Sequence, residues 1–219
     1  MRTAVIAGAT GLVGKQCMYK LLENKEYSSV IALLRRPFDI KHPKLQQITT
    51  DFENLNDLTL PFIPDDVFCC LGTTMAKAGS KQAFYKVDFT YVHELGSFFA
   101  SKGSKRFLLI SASGADKTSA IYYSKVKGEV EEAVKQLSFD GIYVFRPSIL
   151  LGSREEFRLG ERVGIGLAML LQPFMIGGLK KYRPIYGSQV AAGMIKTALE
   201  AAPGKYIFES DAIMEMVKK

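Results

Sequence analysis

A tyrosine and a lysine four residues apart are the side chains best suited to acid–base chemistry. Of the ten tyrosines in the chain, only Tyr123 is followed four positions later by a lysine, Lys127. A free phenol has a pKa of about 10 and is a weak base at neutral pH, but a nearby ammonium favours the tyrosinate. Residues four apart share one face of a helix, so the pair has the geometry that this chemistry needs. The alternative is an ordinary pair on a helix surface.

A glycine-rich turn near the N-terminus is the second chemical feature. Residues 8–14 read G-A-T-G-L-V-G, after an apolar run at 3–7 and before an amphipathic stretch at 12–22. In such a strand–turn–helix context, glycines let the backbone approach a pyrophosphate, and free amides at the helix start face the anion. A plain tight turn is the alternative. We predict that the nucleotide is contacted by Gly8, Thr10, Gly11, Leu12, Val13 and Gly14.

Two arginines after the second apolar run indicate which dinucleotide binds. Arg35 and Arg36 follow the predicted strand at residues 30–34, and no acid stands beside them. NAD-selective domains place an acid at this point, whereas arginine accommodates the 2′-phosphate of NADP. A guanidinium binds phosphate with two parallel hydrogen bonds. The sequence therefore favours NADPH over NADH, and arginines that only solubilise a loop are the alternative.

Apolar runs alternate with helical patterns along the chain, which predicts repeated strand–helix units and a parallel sheet. The predicted fold class is α/β, a doubly wound parallel sheet (Rossmann fold) with a small C-terminal substrate or lid segment. We expect residues 1–219 to form one domain and residues 152–187 to form an irregular lid over the substrate. Strands are predicted at residues 3–7, 30–34, 46–50, 67–71, 106–110, 143–145 and 206–209, and helices at 12–22, 84–100, 124–137 and 190–199.

The G-x-x-G-x-x-G spacing resembles that of the extended and atypical short-chain dehydrogenase/reductases. Tyr123 and Lys127 open the predicted helix after the fifth strand, where this family carries its Tyr-x-x-x-Lys. The resemblance implies that Lys127 also hydrogen-bonds the nicotinamide ribose, while Tyr123 exchanges a proton with the substrate oxygen. The family has a Ser or Thr just after the fifth strand. Here the sequence reads Ser111-Ala112-Ser113, so either serine could hold the substrate oxygen, or the site could lack that hydroxyl.

Several longer strings resemble one branch of this family, that of the mammalian Tat-interacting tumour-suppressor protein and its bacterial relatives. They are C-L-G-T-T at 70–74, G-A-D-K at 114–117, V-K-G-E-V-E at 126–131 and V-F-R-P at 144–147. The likeness runs from the first strand to about residue 161. Members of this branch bind NADPH, yet they can act as regulatory partners of other proteins.

Further cofactor contacts follow from the same resemblance. Asp51, closing the third predicted strand, resembles the acid that accepts a hydrogen bond from the adenine amine, and a helix N-cap explains it equally well. Leu71 and Gly72 lie where the family's backbone passes the cofactor's ribose, a close approach that suits glycine. The resemblance also implies cofactor contacts after the sixth strand, at Pro147, Leu150 and Arg158. For Arg158, the alternative is a salt bridge at a helix end.

These features predict an NADPH-dependent oxidoreductase acting on an unknown carbonyl-type small molecule, with Tyr123 as acid/base and Lys127 as its activator. The alternative is an NADPH-sensing regulatory protein with a protein partner and little or no turnover. Ala112 favours the alternative, and the intact Tyr123–Lys127 pair favours the enzyme.

Composition excludes other classes. The formal net charge is +7, but lysine and arginine are spread along the chain without a basic tract, so we expect no nucleic-acid partner. Two histidines and three cysteines without metal spacing predict no metal site. The most apolar later stretch, residues 163–175, is interrupted by Gly, Gln and Pro and is too short to span a bilayer. The expected location is the cytoplasm.

Overall fold

A seven-stranded parallel sheet forms the centre of the structure, a computed structural model that describes residues 1–152 and 175–218. Its strands are β1 (Arg2–Ala7), β2 (Tyr27–Leu34), β3 (Leu45–Thr49), β4 (Asp66–Cys69), β5 (Arg106–Ile110), β6 (Gly141–Arg146) and β9 (Gly204–Glu209). Their order is β3-β2-β1-β4-β5-β6-β9, and every neighbouring pair is parallel. The predicted doubly wound sheet is confirmed.

Seven α-helices connect or flank these strands in the described ranges. They are α1 (Leu12–Glu23), α2 (Met75–Ala78), α3 (Lys81–Tyr85), α4 (Tyr91–Ser101), α5 (Tyr122–Val134), α6 (Gly187–Glu200) and α7 (Ser210–Val217). The single helix expected at residues 84–100 is instead α3, a π-helical turn at Lys86–Thr90, and α4. A π-helical turn accommodates one extra residue and so rotates everything after it about the helix axis.

Both faces of the sheet are buried, because successive side chains of a strand point to opposite sides. In β1, Ala4 and Ile6 pack in a cluster with residues of α1 and α6. Val5 and Ala7 pack in a second cluster with residues of α4 and α5. The four side chains are at most 1% exposed. The uninterrupted apolar sequence of β1 thus follows from having helices on both sides.

The predicted lid is partly described. Two short strands, β7 (Leu150–Leu151) and β8 (Ile185–Tyr186), pair in parallel beside the main sheet. A 3-10 helix at Gly177–Tyr182 precedes β8. The rest of the expected lid, residues 153–174, and with it Arg158, lies outside the described residues.

Candidate functional site

The glycine turn connects β1 to α1 at the point where the strand order reverses, between β1 and β4. Gly8 has φ +83°, and a Cβ placed there would lie 2.3 Å from the carbonyl oxygen of Cys70. A Cβ on Gly14 would lie 2.1 Å from the carbonyl oxygen of Gly8. The turn is therefore pressed against the end of β4, and α1 is pressed against the turn. Neither position can hold a side chain without displacing backbone.

The N-terminus of α1 is open to an anion. Its N-cap is Gly11, which provides no side-chain cap, and its first turn carries no acidic residue. The first amides of a helix lack intrahelical acceptors, and the helix dipole makes this end positive. Thr10 and Gly11 are exposed, whereas Val13 and Gly14 are buried. This candidate phosphate-binding site at residues 8–14, called the cradle below, therefore consists of backbone rather than side chains.

Leu12 connects the turn to the C-terminal part of the chain. A Cβ on Gly152 would lie 2.7 Å from the Leu12 side chain, and one on Gly187 would lie 3.1 Å from it. These two glycines lie just after β7 and at the start of α6. The first and last residues of the predicted lid segment thus both contact Leu12, the first residue of α1.

Arg35 and Arg36 directly follow β2, and both are exposed. The loop after them is tied to β3 by the side-chain amide of Gln47, which accepts a hydrogen bond from the Phe38 amide and donates to the carbonyls of Phe38 and Ile40, each at 3.0 Å. Two guanidiniums therefore stand at the carboxyl edge of the sheet, next to the cradle.

Asp51 lies in the loop after β3 and is exposed. Its Oδ1 accepts a hydrogen bond of 2.9 Å from the amide of Glu53, which folds the loop locally. The short 3-10 helix that follows begins after Asn54, so Asp51 is not its N-cap. The carboxylate stands two strands away from the cradle, on the side where Arg35 and Arg36 lie.

A buried ion pair lies under the loop that follows β4. Lys127 Nζ is 2.7 Å from Asp88 Oδ1, and their side chains are 5% and 0% exposed. The other carboxylate oxygen, Oδ2, accepts a hydrogen bond of 2.8 Å from the Thr73 amide. A Cβ on Gly72 would lie 3.4 Å from Asp88 Oδ1 and 3.6 Å from Lys127 Nζ. Strand β4 ends at Cys69, two residues earlier than expected, and the following loop, with Gly72 in it, passes over the pair.

The charge on Lys127 is preserved despite its burial. Burial by itself lowers the pKa of the ammonium, but attraction to Asp88, and secondarily to Tyr123, outweighs this and leaves the pKa raised. Sequence reasoning missed Asp88, since an acid inside an amphipathic helix normally faces water. The π-helical turn at Lys86–Thr90 contains Asp88, and a break in helical periodicity there is a signal too weak to read from one sequence.

Tyr123 lies in the first turn of α5, half-buried, one helical turn before Lys127. Its ring packs against the buried ring of Phe84 in α3, with centroids 5.5 Å apart. Its hydroxyl makes no hydrogen bond to residues 1–152 or 175–218. The tyrosine is thus held by its ring and leaves its oxygen available to a ligand.

The two candidate serines are in different environments. Ser111 is 5% exposed and donates a hydrogen bond to Glu131. Glu131 in turn is held by Arg146 through contacts of 2.6 and 2.9 Å. The hydroxyl of Ser113 is also buried but has no hydrogen-bonding partner among the described residues. The structure therefore commits Ser111 to a buried network and leaves Ser113 uncommitted.

Pro147 and Leu150 follow β6 on the same side. The Pro147 carbonyl accepts a hydrogen bond of 3.0 Å from the Ser113 amide, which connects the loops after β5 and β6. Leu150 lies in β7 and is half-buried. The hydrogen bond between Ser113 and Pro147 therefore holds the backbone of the two loops together beside the Ser113 side chain.

A parallel sheet with a glycine cradle at its switch point, and a Tyr–Lys pair on the helix after β5, define a dinucleotide-binding Rossmann protein of the short-chain dehydrogenase type. A family model described as NAD(P)H-binding matches residues 8–153, and the chain belongs to that family. The expected resemblance is confirmed, as is NAD(P)H binding as the property of the family.

Two relatives extend this assignment. Protein HTATIP2 of Rattus norvegicus is 40% identical over 164 residues, which cover 73% of this chain and 67% of that protein. Protein FMP52, mitochondrial, of Eremothecium gossypii is 30% identical over 219 residues, covering 99% of this chain and 97% of that protein. The chain is therefore similar over nearly its whole length to FMP52 and over about three quarters of its length to HTATIP2.

Solved structures share the fold at low identity. The Bordetella bronchiseptica enzyme WbmH in complex with NAD+ superposes with a TM-score of 0.70 at 15% identity, covering 96% of this chain and 76% of that one. Human epimerase family protein SDR39U1 with NADPH gives a TM-score of 0.63 at 17% identity, covering 94% and 74%. At these identities the likeness shows the fold.

The comparison also corrects one expectation. The predicted cytoplasmic location is wrong, because FMP52 relatives from Eremothecium gossypii, Aspergillus niger and Meyerozyma guilliermondii carry the designation mitochondrial. The cytoplasm was chosen by default, and a Rossmann core is chemically compatible with either compartment. In the described ranges, no helix is long and apolar enough to cross a membrane.

Proposed function

We propose that the protein is an NADPH-dependent oxidoreductase that acts on a carbonyl-type small molecule. The observation that carries the proposal is the meeting of three features at the carboxyl edge of β1, β4 and β5: the open amides of α1, the bare backbone at Gly72, and the Lys127 ammonium beneath it. The glycine positions fit a dinucleotide, since a Cβ at Gly8 or Gly14 would collide with backbone. When bound, the nicotinamide supplies hydride chemistry.

The side chains have distinct roles in this proposal. Tyr123 donates its proton to the substrate oxygen, and its ring contact with Phe84 fixes the direction of the hydroxyl. Lys127 hydrogen-bonds the nicotinamide ribose and favours the tyrosinate after proton transfer. The backbone amides of residues 12–14 bind the pyrophosphate, and Leu71, Gly72, Pro147 and Leu150 line the ribose and nicotinamide half. Asp51 accepts a hydrogen bond from the adenine amine, and Arg158 belongs to the same proposed set of contacts.

NADPH specificity is assigned to Arg35 and Arg36. Each charge-assisted hydrogen bond to a 2′-phosphate contributes about 1.5–3 kcal/mol, which corresponds to about tenfold to a hundredfold in affinity. We expect calorimetry to show at least about tenfold tighter binding of NADPH than of NADH, and we expect Arg35→Ala to weaken NADPH binding by about tenfold without changing NADH binding. Lys205→Ala, which removes an exposed cation from the opposite edge strand β9, serves as the control. Equal affinity of the wild type for the two nucleotides would contradict the assignment.

Ser113, rather than Ser111, is proposed to hold the substrate oxygen. Its buried hydroxyl lacks a partner in the described structure, whereas the Ser111 hydroxyl is bound to Glu131. Ser113→Ala is expected to lower kcat/KM by about tenfold or more, because a donor to the developing oxyanion is lost. Ser111→Ala is the matched control. It should lower the free energy of unfolding by about 1.5–3 kcal/mol, since the lost hydrogen bond is to a carboxylate, and leave turnover per folded molecule unchanged. If Ser111→Ala lowered kcat/KM and Ser113→Ala did not, Ser111 would be the residue that holds the substrate oxygen.

A second candidate function is an NADPH-sensing interaction protein. Ala112 favours it, since this residue stands within the segment where the family's hydroxyl pair is expected. Measuring the oxidation of NADPH in the presence of a panel of aldehydes and ketones distinguishes the oxidoreductase from the sensor. Turnover with any member of the panel supports the enzyme. NADPH binding without turnover, together with a partner captured only in the presence of the nucleotide, supports the sensor.

A further inference from the structure

The environment of Lys127 contains a full negative charge that the proposed chemistry does not require. Among residues 1–152 and 175–218, the titratable groups that interact with its ammonium are Asp88 from the π-helical turn, Tyr123 from its own helix, and the Cys69 thiol from β4. Burial raises the pKa of Cys69 to about 12, so this thiol is uncharged near neutral pH. Of these groups, Asp88 is therefore the one that opposes the positive charge of Lys127.

The position of Asp88 is a consequence of the backbone. A regular helix turns about 100° per residue, so the extra residue of the π-helical turn changes which side chains face inward. Asp88 lies inside the segment Lys86–Thr90 that has this geometry, and it is completely buried. Its two oxygens contact Lys127 Nζ and the Thr73 amide, at 2.7 and 2.8 Å. The carboxylate is therefore fixed at both oxygens and cannot swing away from the ammonium.

We propose that the buried Asp88 carboxylate, 2.7 Å from Lys127 Nζ, offsets the ammonium one helical turn from Tyr123, so that Tyr123 serves as a proton donor and the site is built for carbonyl reduction rather than alcohol oxidation. This inference rests on the proposed function and specifies its direction. Asp88 acts here as a positioning residue, through Lys127, and touches neither substrate nor nucleotide.

The sign of the effect follows from electrostatics. A positive charge beside a phenol favours the tyrosinate, and a negative charge disfavours it. An isolated Lys127 would promote loss of the Tyr123 proton, as alcohol oxidation requires of a base. The Asp88 carboxylate opposes this effect of the ammonium. In reduction, a hydride adds to the carbonyl carbon, the C=O π bond breaks, and the Tyr123 proton goes to the oxygen. The carbonyl is reduced to an alcohol, the nicotinamide is oxidised, and solvent returns a proton to Tyr123.

A titration of Tyr123 itself tests this proposal. Tyrosinate absorbance is measured against pH for the wild type and Asp88→Asn, each corrected by subtracting the same protein carrying Tyr123→Phe. Asparagine retains an oxygen for the Thr73 amide, and it removes the charge together with the oxygen that faces Lys127. We expect the Tyr123 midpoint to fall by about one pH unit or more in Asp88→Asn. An unchanged or higher midpoint would overturn the proposal. Glu129→Gln is the control. It removes a carboxylate that is more exposed than Asp88 and lies in α5 with Tyr123, and it should leave the Tyr123 midpoint unchanged.

A second pair of variants covers the case in which Asp88→Asn does not fold. Breaking a buried ion pair by removing one partner is strongly destabilising, whereas removing both is often tolerated. The Tyr123 midpoint in Lys127→Met is therefore compared with that in Lys127→Met/Asp88→Asn. We expect the double variant to titrate at lower pH than the single one, because the repelling carboxylate is gone. Equal midpoints would overturn the proposal.

These titrations use neither nucleotide nor substrate, so their failure is distinguishable from failure of the proposed function. A lower Tyr123 midpoint in Asp88→Asn, without carbonyl turnover by the wild type, supports the charge offset and contradicts the proposed oxidoreductase activity. Turnover with an unshifted midpoint supports the enzyme and overturns the role of Asp88.

Discussion

Replacing Tyr123 by phenylalanine is expected to lower NADPH-dependent turnover of a carbonyl substrate by about a hundredfold or more, since a positioned general acid contributes on that order. The affinity for NADPH should not change, because the cradle of α1 and the Lys127–Asp88 pair remain. Phenylalanine also retains the ring contact with Phe84, whose centroid lies 5.5 Å away. The measurement is kcat and KM with a substrate from the carbonyl panel, together with NADPH calorimetry.

Tyr122→Phe is the matched control for this experiment. Tyr122 precedes Tyr123 in the same helical turn and also contacts the Phe84 ring, at 6.1 Å. Its hydroxyl, however, donates to the Lys81 carbonyl at 3.1 Å on the surface. Loss of that hydroxyl should leave kcat unchanged. If both variants lost activity equally, or if Tyr123→Phe retained full turnover, the acid–base assignment would be removed.

Gly8→Ala is expected to have the largest effect on the fold, lowering the free energy of unfolding by about 3 kcal/mol or more. Two costs combine at this position. An alanine at φ +83° is itself strained by about 1–2 kcal/mol, and its Cβ would lie 2.3 Å from the Cys70 carbonyl oxygen. The backbone must move to relieve the contact, so NADPH binding should also be lost. Urea unfolding and calorimetry measure the two effects.

Gly103→Ala isolates the conformational part of that cost. Gly103 has φ +86°, nearly the same as Gly8, but a Cβ there would meet nothing within 4 Å. We expect it to destabilise the protein by only about 1–2 kcal/mol and to leave NADPH affinity intact. Equal destabilisation by the two substitutions would mean that the turn is not packed as tightly against β4 as the structure indicates.

The parts of the fold that periodicity describes were predictable from sequence. Strand β5 was predicted with its observed ends, and the start of α1 at Leu12 follows from the glycine turn. Strands β7 and β8 have two residues each, which is too few to show an alternation of apolar and polar residues in the sequence. The last helix, α7, was missed because it starts immediately after β9, without a turn residue between them.

The candidate site was predictable where backbone chemistry dominates and not where loop geometry decides. Glycine spacing is sufficient to indicate the cradle, because only glycine tolerates the contacts at Gly8 and Gly14. The choice between Ser111 and Ser113 depends on which hydroxyl meets Glu131, a residue from the far end of α5. The inward position of Asp88 depends on one extra residue in a helical turn. Such features are tertiary, and a single sequence does not encode them in a readable pattern.

The small ladder formed by β7 and β8 has a bearing on how this protein could diversify. Leu150 lies opposite Ile185, and the Ile185 amide donates to the Ile149 carbonyl at 3.0 Å, so the chain leaves the core and returns to it at one closed junction. A polypeptide attached at such a junction can be lengthened, shortened or exchanged at little cost to the sheet, because neither anchor point moves. If the proposed function holds, we expect that exchanging the intervening residues with those of a relative, with both anchors retained, changes substrate selectivity and leaves the sheet unaltered.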